Sequence, residues 1–130
     1  MLYLTIMTFE ININCDLGEK SKLHSNKNDP ELLKIVNSAN VACGYHAGDG
    51  ETMTEVIEIS KRNGVSIGAH PSFDDPENFG RERINLSSTE IKKLIIDQYE
   101  ILQKISHGIL FAHFKLLPTQ LKVKVLASLR

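Results

Sequence analysis

Ser38-Ala39-Asn40-Val41-Ala42-Cys43-Gly44-Tyr45-His46-Ala47-Gly48-Asp49 is the stretch whose reading decides the fold. Residues 39–43 are small and apolar except Asn40, the pattern of a short strand buried on both faces. Gly44 breaks the run, and Gly48-Asp49-Gly50 opens an amphipathic helix with Asp49 at its N-cap. Tyr45 and His46 therefore lie on the turn leaving the carboxyl end of a strand. In parallel α/β proteins that rim is where ligands bind and catalytic side chains collect.

The same design recurs on both sides. An apolar strand over residues 11–15 is followed by Asp16, and a strand over 65–69 is followed by His70. Three strand ends thus offer one carboxylate and two imidazoles to a common rim. Between them, residues 20–28 are polar and aperiodic, a loop. Asp29-Pro30 reads as an N-cap and first-turn proline before a short helix with the stripe Leu32, Leu33 and Val36. A longer helix, about 50–63, turns Met53, Val56 and Ile57 inward and stops at Asn63-Gly64.

After His70 comes a long loop, 71–86. Ser87-Ser88-Thr89-Glu90 is a capping box. Ile91, Leu94, Ile95, Gln98, Leu102 and Ile105 continue at helical spacing to a stop near Gly108. Residues 109–112 are a candidate fourth strand, ending in His113-Phe114-Lys115. The spacing predicts a parallel α/β protein with three complete βα units, too few to close a barrel of about eight strands.

Composition narrows the function classes. The 130 residues fit at most one domain, and 42% hydrophobic with 24% charged residues is ordinary for a globular chain. A net charge of -1 points to no nucleic acid and no membrane surface as general partner. Every acidic residue lies at or before Glu100, whereas Lys104, Lys115, Lys122, Lys124 and Arg130 follow unopposed. The expected organisation is an apolar leader over 1–8 (with Met7 as an alternative start), a partial barrel over 9–115 and a divergent basic, apolar tail over 116–130. Residues 2–9 lack the basic start and cleavage site of a signal peptide, and no run is long enough to span a membrane, so the expected location is cytoplasmic. Cys15 and Cys43 read as small buried hydrophobes, with zinc ligation the alternative.

Asp16, His46 and His70 have the residue types of a divalent metal site, where a metal polarises a carbonyl or activates water. Without a metal, either histidine can serve as general base. The plainer alternative is that each residue only ends its strand in solvent. Pro71 restricts the backbone that aims His70. No G-x-x-x-x-G-K-[ST] occurs, and Asp49 at a helix start repels phosphate. Arg81 and Arg83 are candidates to grip an anionic substrate, or else are solvated beside Glu82. Asn14, Glu19, Asn40 and Asp49 complete the candidate substrate-binding set; the asparagines alternatively tie down loops.

Together, Asn14-Cys15-Asp16-Leu17-Gly18-Glu19, the run from Ser38 to Asp49, and Gly64-Val65-Ser66-Ile67-Gly68-Ala69-His70-Pro71 followed by Phe79-Gly80-Arg81 resemble the LamB/YcsF family over about residues 9–115. The resemblance implies a distorted, TIM-like (β/α) barrel of the glycoside hydrolase/deacetylase type, incomplete in this chain. It implies the A subunit of a bacterial 5-oxoprolinase that opens 5-oxo-L-proline to L-glutamate, using ATP with Mg2+ and subunits B and C. Kinship with polysaccharide deacetylases keeps open a metal-dependent amide or ester hydrolase, and a non-catalytic fragment that binds partner subunits is the third possibility. Ser72 stands where the family usually has glycine, and Glu82 splits a usual arginine pair. After His113-Phe114-Lys115 the family's Pro-His-Gly-Ala-Leu-Tyr-Asn segment is replaced by Leu116-Leu117-Pro118-Thr119-Gln120. A shifted frame or truncated gene is expected, and with it a chain inactive alone.

Overall fold

Short parallel strands joined by helical crossovers build the chain, as the βα spacing predicts. The structure is a computed structural model that describes residues 11–116; the leader over 1–8 and all of the tail but Leu116 lie outside the described residues. Strand β1 (Asn14–Leu17), helix α1 (Asp29–Leu32), β2 (Ser38–Ala42), α2 (Gly50–Asn63), β3 (Ser66–His70) and α3 (Ser88–Ile105) follow in order. The three strands form one parallel sheet in the order β1-β2-β3. Among the described residues no helix is long and apolar enough to cross a membrane.

Strand alternation gives this sheet two unlike faces. Leu17, Ala39, Val41, Ile67 and Ala69 point to the helices and are buried with Val56 and Ile57 of α2 and Leu102 of α3. Full burial of one such aliphatic side chain stabilises by about 1.5–3 kcal/mol. The other face carries Asn14, Asp16, Ser38, Asn40, Ser66 and His70, joined by contacts such as Asn40 to Asn14 and Ser38 to Ser66. Strand β2 is buried along its whole length, so its apolar run is correctly read, while Asn40 faces a polar layer rather than oil.

Three boundaries differ from expectation. The first strand is not 11–15: Ile11 and Ile13 are largely exposed, and pairing starts at Asn14. The side-chain oxygen of Asn37 takes the N–H of Ile13, so the ladder begins one residue later and Asp16 lies within the strand. Asp29 is not the N-cap of α1. Asn28 holds that position, and the Asp29 carboxylate turns back to accept from the Gly18 N–H at 2.7 Å. The candidate strand over 109–112 is replaced by an isolated parallel bridge between Ala69 and Phe114. Phe111 is drawn onto the Tyr99 ring of α3 instead, and pairing with β3 starts at Ala112, whose N–H reaches the Ile67 carbonyl at 2.8 Å.

The local signals of the two longer helices hold. Asp49 caps α2 by accepting from the Thr52 N–H at 2.8 Å, and the helix ends at Gly64. Ser87 and Glu90 form the expected capping box of α3. Cys43 is buried and Cys15 half-buried, both as free thiols.

Candidate functional site

Gly18 turns the chain sharply as β1 ends, and the Asp29 carboxylate fixes the turn through the Gly18 N–H. The turn then lies against the loop after β2. The Gly48 N–H donates to the Lys20 carbonyl at 2.8 Å, and a Cβ on Gly48 would collide with the Gly18 carbonyl. Only glycine at position 48 permits that approach. Glu19, between these two anchors, is thereby swung over the strand ends.

Its Oε1 lies 3.1 Å from Nε2 of His46 and 3.4 Å from Nε2 of His70. Burial pushes the Glu19 carboxyl up, but the hydrogen bond from His46 and the attraction of His70 more than offset it, holding the group at about 2. Both histidines are fully buried. Their rings meet edge-on with centroids 5.2 Å apart.

His70 has a defined tautomer. Its Nδ1 donates to the Lys115 carbonyl at 2.6 Å, and a carbonyl only accepts. In the neutral ring Nε2 is therefore bare, and it has no hydrogen-bond partner despite facing Glu19. Nδ1 of His46 is likewise buried without a partner. The Phe79 ring closes the site, edge-on to His46 at 5.1 Å, from a backbone held at φ 57°. A non-glycine residue in that region costs about 1–3 kcal/mol, which the surrounding packing must supply.

Below this cluster the polar sheet face continues as a network. Lys115 Nζ lies 2.7 Å from each Asp16 oxygen. Asn40 donates to Asp16 at 2.8 Å and to Asn14 at 3.0 Å, and its Oδ1 accepts from His113. A Cβ at Gly68 would collide with the His113 ring, so glycine there lets the ring lie across β3. A groove of about 530 Å³ opens on this face, lined by Asn14, Ser38, Asn40, Ser66, His113 and Lys115 among others.

The structure thus brings together Asp16, Glu19, His46, His70, Asn14 and Asn40 from the sequence candidates. Asp16 is 3.7 Å from His70, but its charge is met by Lys115, and the carboxylate shared by both imidazoles is Glu19. Three other candidates lie elsewhere. Asp49 spends its carboxylate on the α2 cap and on Lys20 at 3.5 Å. Arg81 and Arg83 are exposed, Arg81 resting over the Phe79 ring at 5.2 Å. His113 and Lys115 were absent from the candidates, although they end the fourth apolar run just as His70 ends the third. Gln98, counted with the apolar stripe of α3, is a buried clamp: it accepts from the Ser72 N–H at 3.0 Å and donates to the Ser72 carbonyl at 2.8 Å.

Comparison with known proteins agrees with this geometry. The family model described as LamB/YcsF family matches residues 11–117. The 5-oxoprolinase A subunit of Staphylococcus epidermidis (strain RP62A) is 43% identical over 104 residues, covering 78% of this chain and 41% of that protein. The protein of the same name from Clostridium kluyveri is 43% identical over 109 residues, covering 82% of this chain and 43% of its own length. The chain thus spans about two-fifths of the curated relatives it matches. The crystal structure of the lactam utilization protein from Thermus thermophilus superposes with a TM-score of 0.80 at 27% identity, over 93% of this chain and 53% of that one. The fold is accordingly that of a TIM-like (β/α) barrel, to which the described residues contribute three parallel strands.

Proposed function

Because the chain belongs to the LamB/YcsF family, we propose that its polar sheet face binds a lactam, 5-oxo-L-proline, and takes part in opening it to L-glutamate as a cytoplasmic enzyme subunit. The observation that supports this most is the Glu19–His46–His70 cluster at the strand ends. Ring opening adds water to the lactam carbonyl and breaks the C–N bond, so one proton leaves the water and one reaches the ring nitrogen. An imidazole beside an ionised carboxylate suits both transfers: Glu19 orients His46 and stabilises the imidazolium that forms when it takes the water proton. Asn14 and Asn40 present amides, and His113 and Lys115 cationic or N–H groups, to the same face, where a carbonyl oxygen gaining charge needs donors.

ATP with Mg2+ belongs to this reading as the source of driving force. Two features speak against a triphosphate on this face: the α2 N-terminus is occupied by Asp49, and Lys115 is paired with Asp16. We therefore place nucleotide contacts with subunits B and C. A second reading, a metal-dependent amide or ester hydrolase, is favoured by one feature, the bare Nε2 of His70.

The test is glutamate formation from 5-oxo-L-proline by the chain with subunits B and C, ATP and magnesium. The chain alone is expected to give none. In a full-length relative, alanine at the position matching His46 should lower turnover about 100-fold or more, the usual scale of a lost general base. Unchanged turnover there refutes the proposal. Hydrolysis without ATP would favour the second reading, and capture of subunits B and C without turnover would identify a partner-binding piece.

A further inference from the structure

We infer that Glu19, His46 and His70 form a binding site for one divalent transition-metal ion of the zinc type. The carboxylate oxygen and one nitrogen of each imidazole lie within 4.8 Å of one another. Ligands of a tetrahedral ion bound at about 2.0–2.2 Å are about 3.4 Å apart. The pairs Glu19 Oε1 to His46 Nε2 at 3.1 Å and Glu19 Oε1 to His70 Nε2 at 3.4 Å already have that separation.

Chemistry and orientation agree with distance. The His70 ring is fully buried, its Nδ1–H is committed to the Lys115 carbonyl, and its Nε2 faces Glu19 at 3.4 Å and Asp16 at 3.7 Å without a hydrogen-bond partner. A backbone carbonyl behind the far nitrogen is also how metal-bound histidines are held in one tautomer. Nε2 of His46 faces the same Glu19 oxygen at 3.1 Å, and its other ring nitrogen is buried without a partner. Two imidazoles and one carboxylate suit zinc, cobalt(II) or iron(II) over magnesium, which takes oxygen ligands. Three protein ligands leave a fourth position for water or a substrate oxygen. Asp16 is held back from that shell by Lys115. Cys43 takes no part, since it lies with the apolar side chains against the helices.

The inference concerns the same cluster as the proposed function, but its test reads metal alone, so either can fail without the other. The 130-residue chain, stripped with chelator, is titrated with Co2+ and followed by visible absorbance, and then with Zn2+ in competition. One equivalent should bind with the intense visible band of four-coordinate cobalt, Zn2+ should displace it, and a large excess of Mg2+ should not. Glu19→Gln should weaken binding at least tenfold and His70→Ala should abolish it. Asp16→Asn should weaken it less than Glu19→Gln, and His107→Ala, on an exposed turn, should leave it unchanged. Circular dichroism checks each variant, and if His70→Ala unfolds, the nearly isosteric Glu19→Gln decides. No saturable binding by the unaltered chain, or equal binding in Glu19→Gln and the unaltered chain, overturns the inference.

Discussion

Replacing Gln98 with leucine should destabilise the chain well beyond what its place on an apolar helix stripe suggests. Gln98 and Ser72 are both fully buried, and the amide satisfies the Ser72 N–H at 3.0 Å and the Ser72 carbonyl at 2.8 Å. Leucine fills the volume but strands two backbone groups that water cannot reach. Each costs about 1–3 kcal/mol, or about 2–6 kcal/mol together. The extra apolar area, equivalent to about two methylenes, returns about 1.6 kcal/mol. The net loss is then about 0.4–4.4 kcal/mol, centred near about 2.4. Urea unfolding followed by circular dichroism should show a midpoint lowered by about 1–2 M for a slope of about 1–3 kcal/mol/M. Because Ser72 is two residues after His70, exchange of the His70 and Ser72 amides should quicken as well. A midpoint within experimental error of the unaltered chain would mean that the clamp is replaceable by packing, and the reasoning would fail.

Three further outcomes follow from particular contacts. Asp49→Ala should lose the α2 cap and about 0.5–2 kcal/mol. The Thr52 N–H holds the Asp49 carboxyl below its ordinary range, so this stability is present at neutral pH and fades as pH falls through the folded value; a cost that is constant down to strong acid would contradict the assignment. Gly68→Ala should drive the His113 ring off β3 at a cost of about 1–3 kcal/mol, read as faster exchange of the Ala69 amide that now donates to the His113 carbonyl at 3.0 Å. A thiol reagent at mildly alkaline pH should label half-buried Cys15 well before Cys43, whose thiol burial raises to about 12, and equal rates would place Cys43 outside the core.

What the sequence made legible is local in origin. The Asp49 cap, the Gly64 stop and the Ser87–Glu90 box each depend on residues a few positions apart, and all formed where expected. Strands β2 and β3 were read to within a residue because their apolar runs are bounded by glycine and polar residues. Strand β1 was misplaced because Ile11 and Ile13 alternate like a half-buried strand, whereas the Ile13 N–H is taken by the Asn37 side chain rather than by a neighbouring strand. Asp29 looked like a cap from its neighbours, and only the tertiary approach of Gly18 gives its carboxylate another donor. The same applies to the site. Strand-end logic found His46 and His70, but nothing near Glu19 in sequence shows that the Gly18 turn carries it to both imidazoles. Lys115 reaches Asp16 across 99 residues of chain, a distance no periodicity reports.

The two-faced sheet divides labour in a way that bears on how such a chain can change. Residues that hold it together, such as Val41, Ile67 and Ala69, and residues of the polar face, such as Asn14, Asn40 and His70, occupy alternate positions of the same strands. Side chains on opposite faces share a backbone but few partners, so effects of substitution across the sheet should be close to additive. Selection, natural or in the laboratory, can then retune the polar face one residue at a time without spending core stability at each step. The exceptions are the glycines at 48 and 68, where the two tasks meet in a single backbone position.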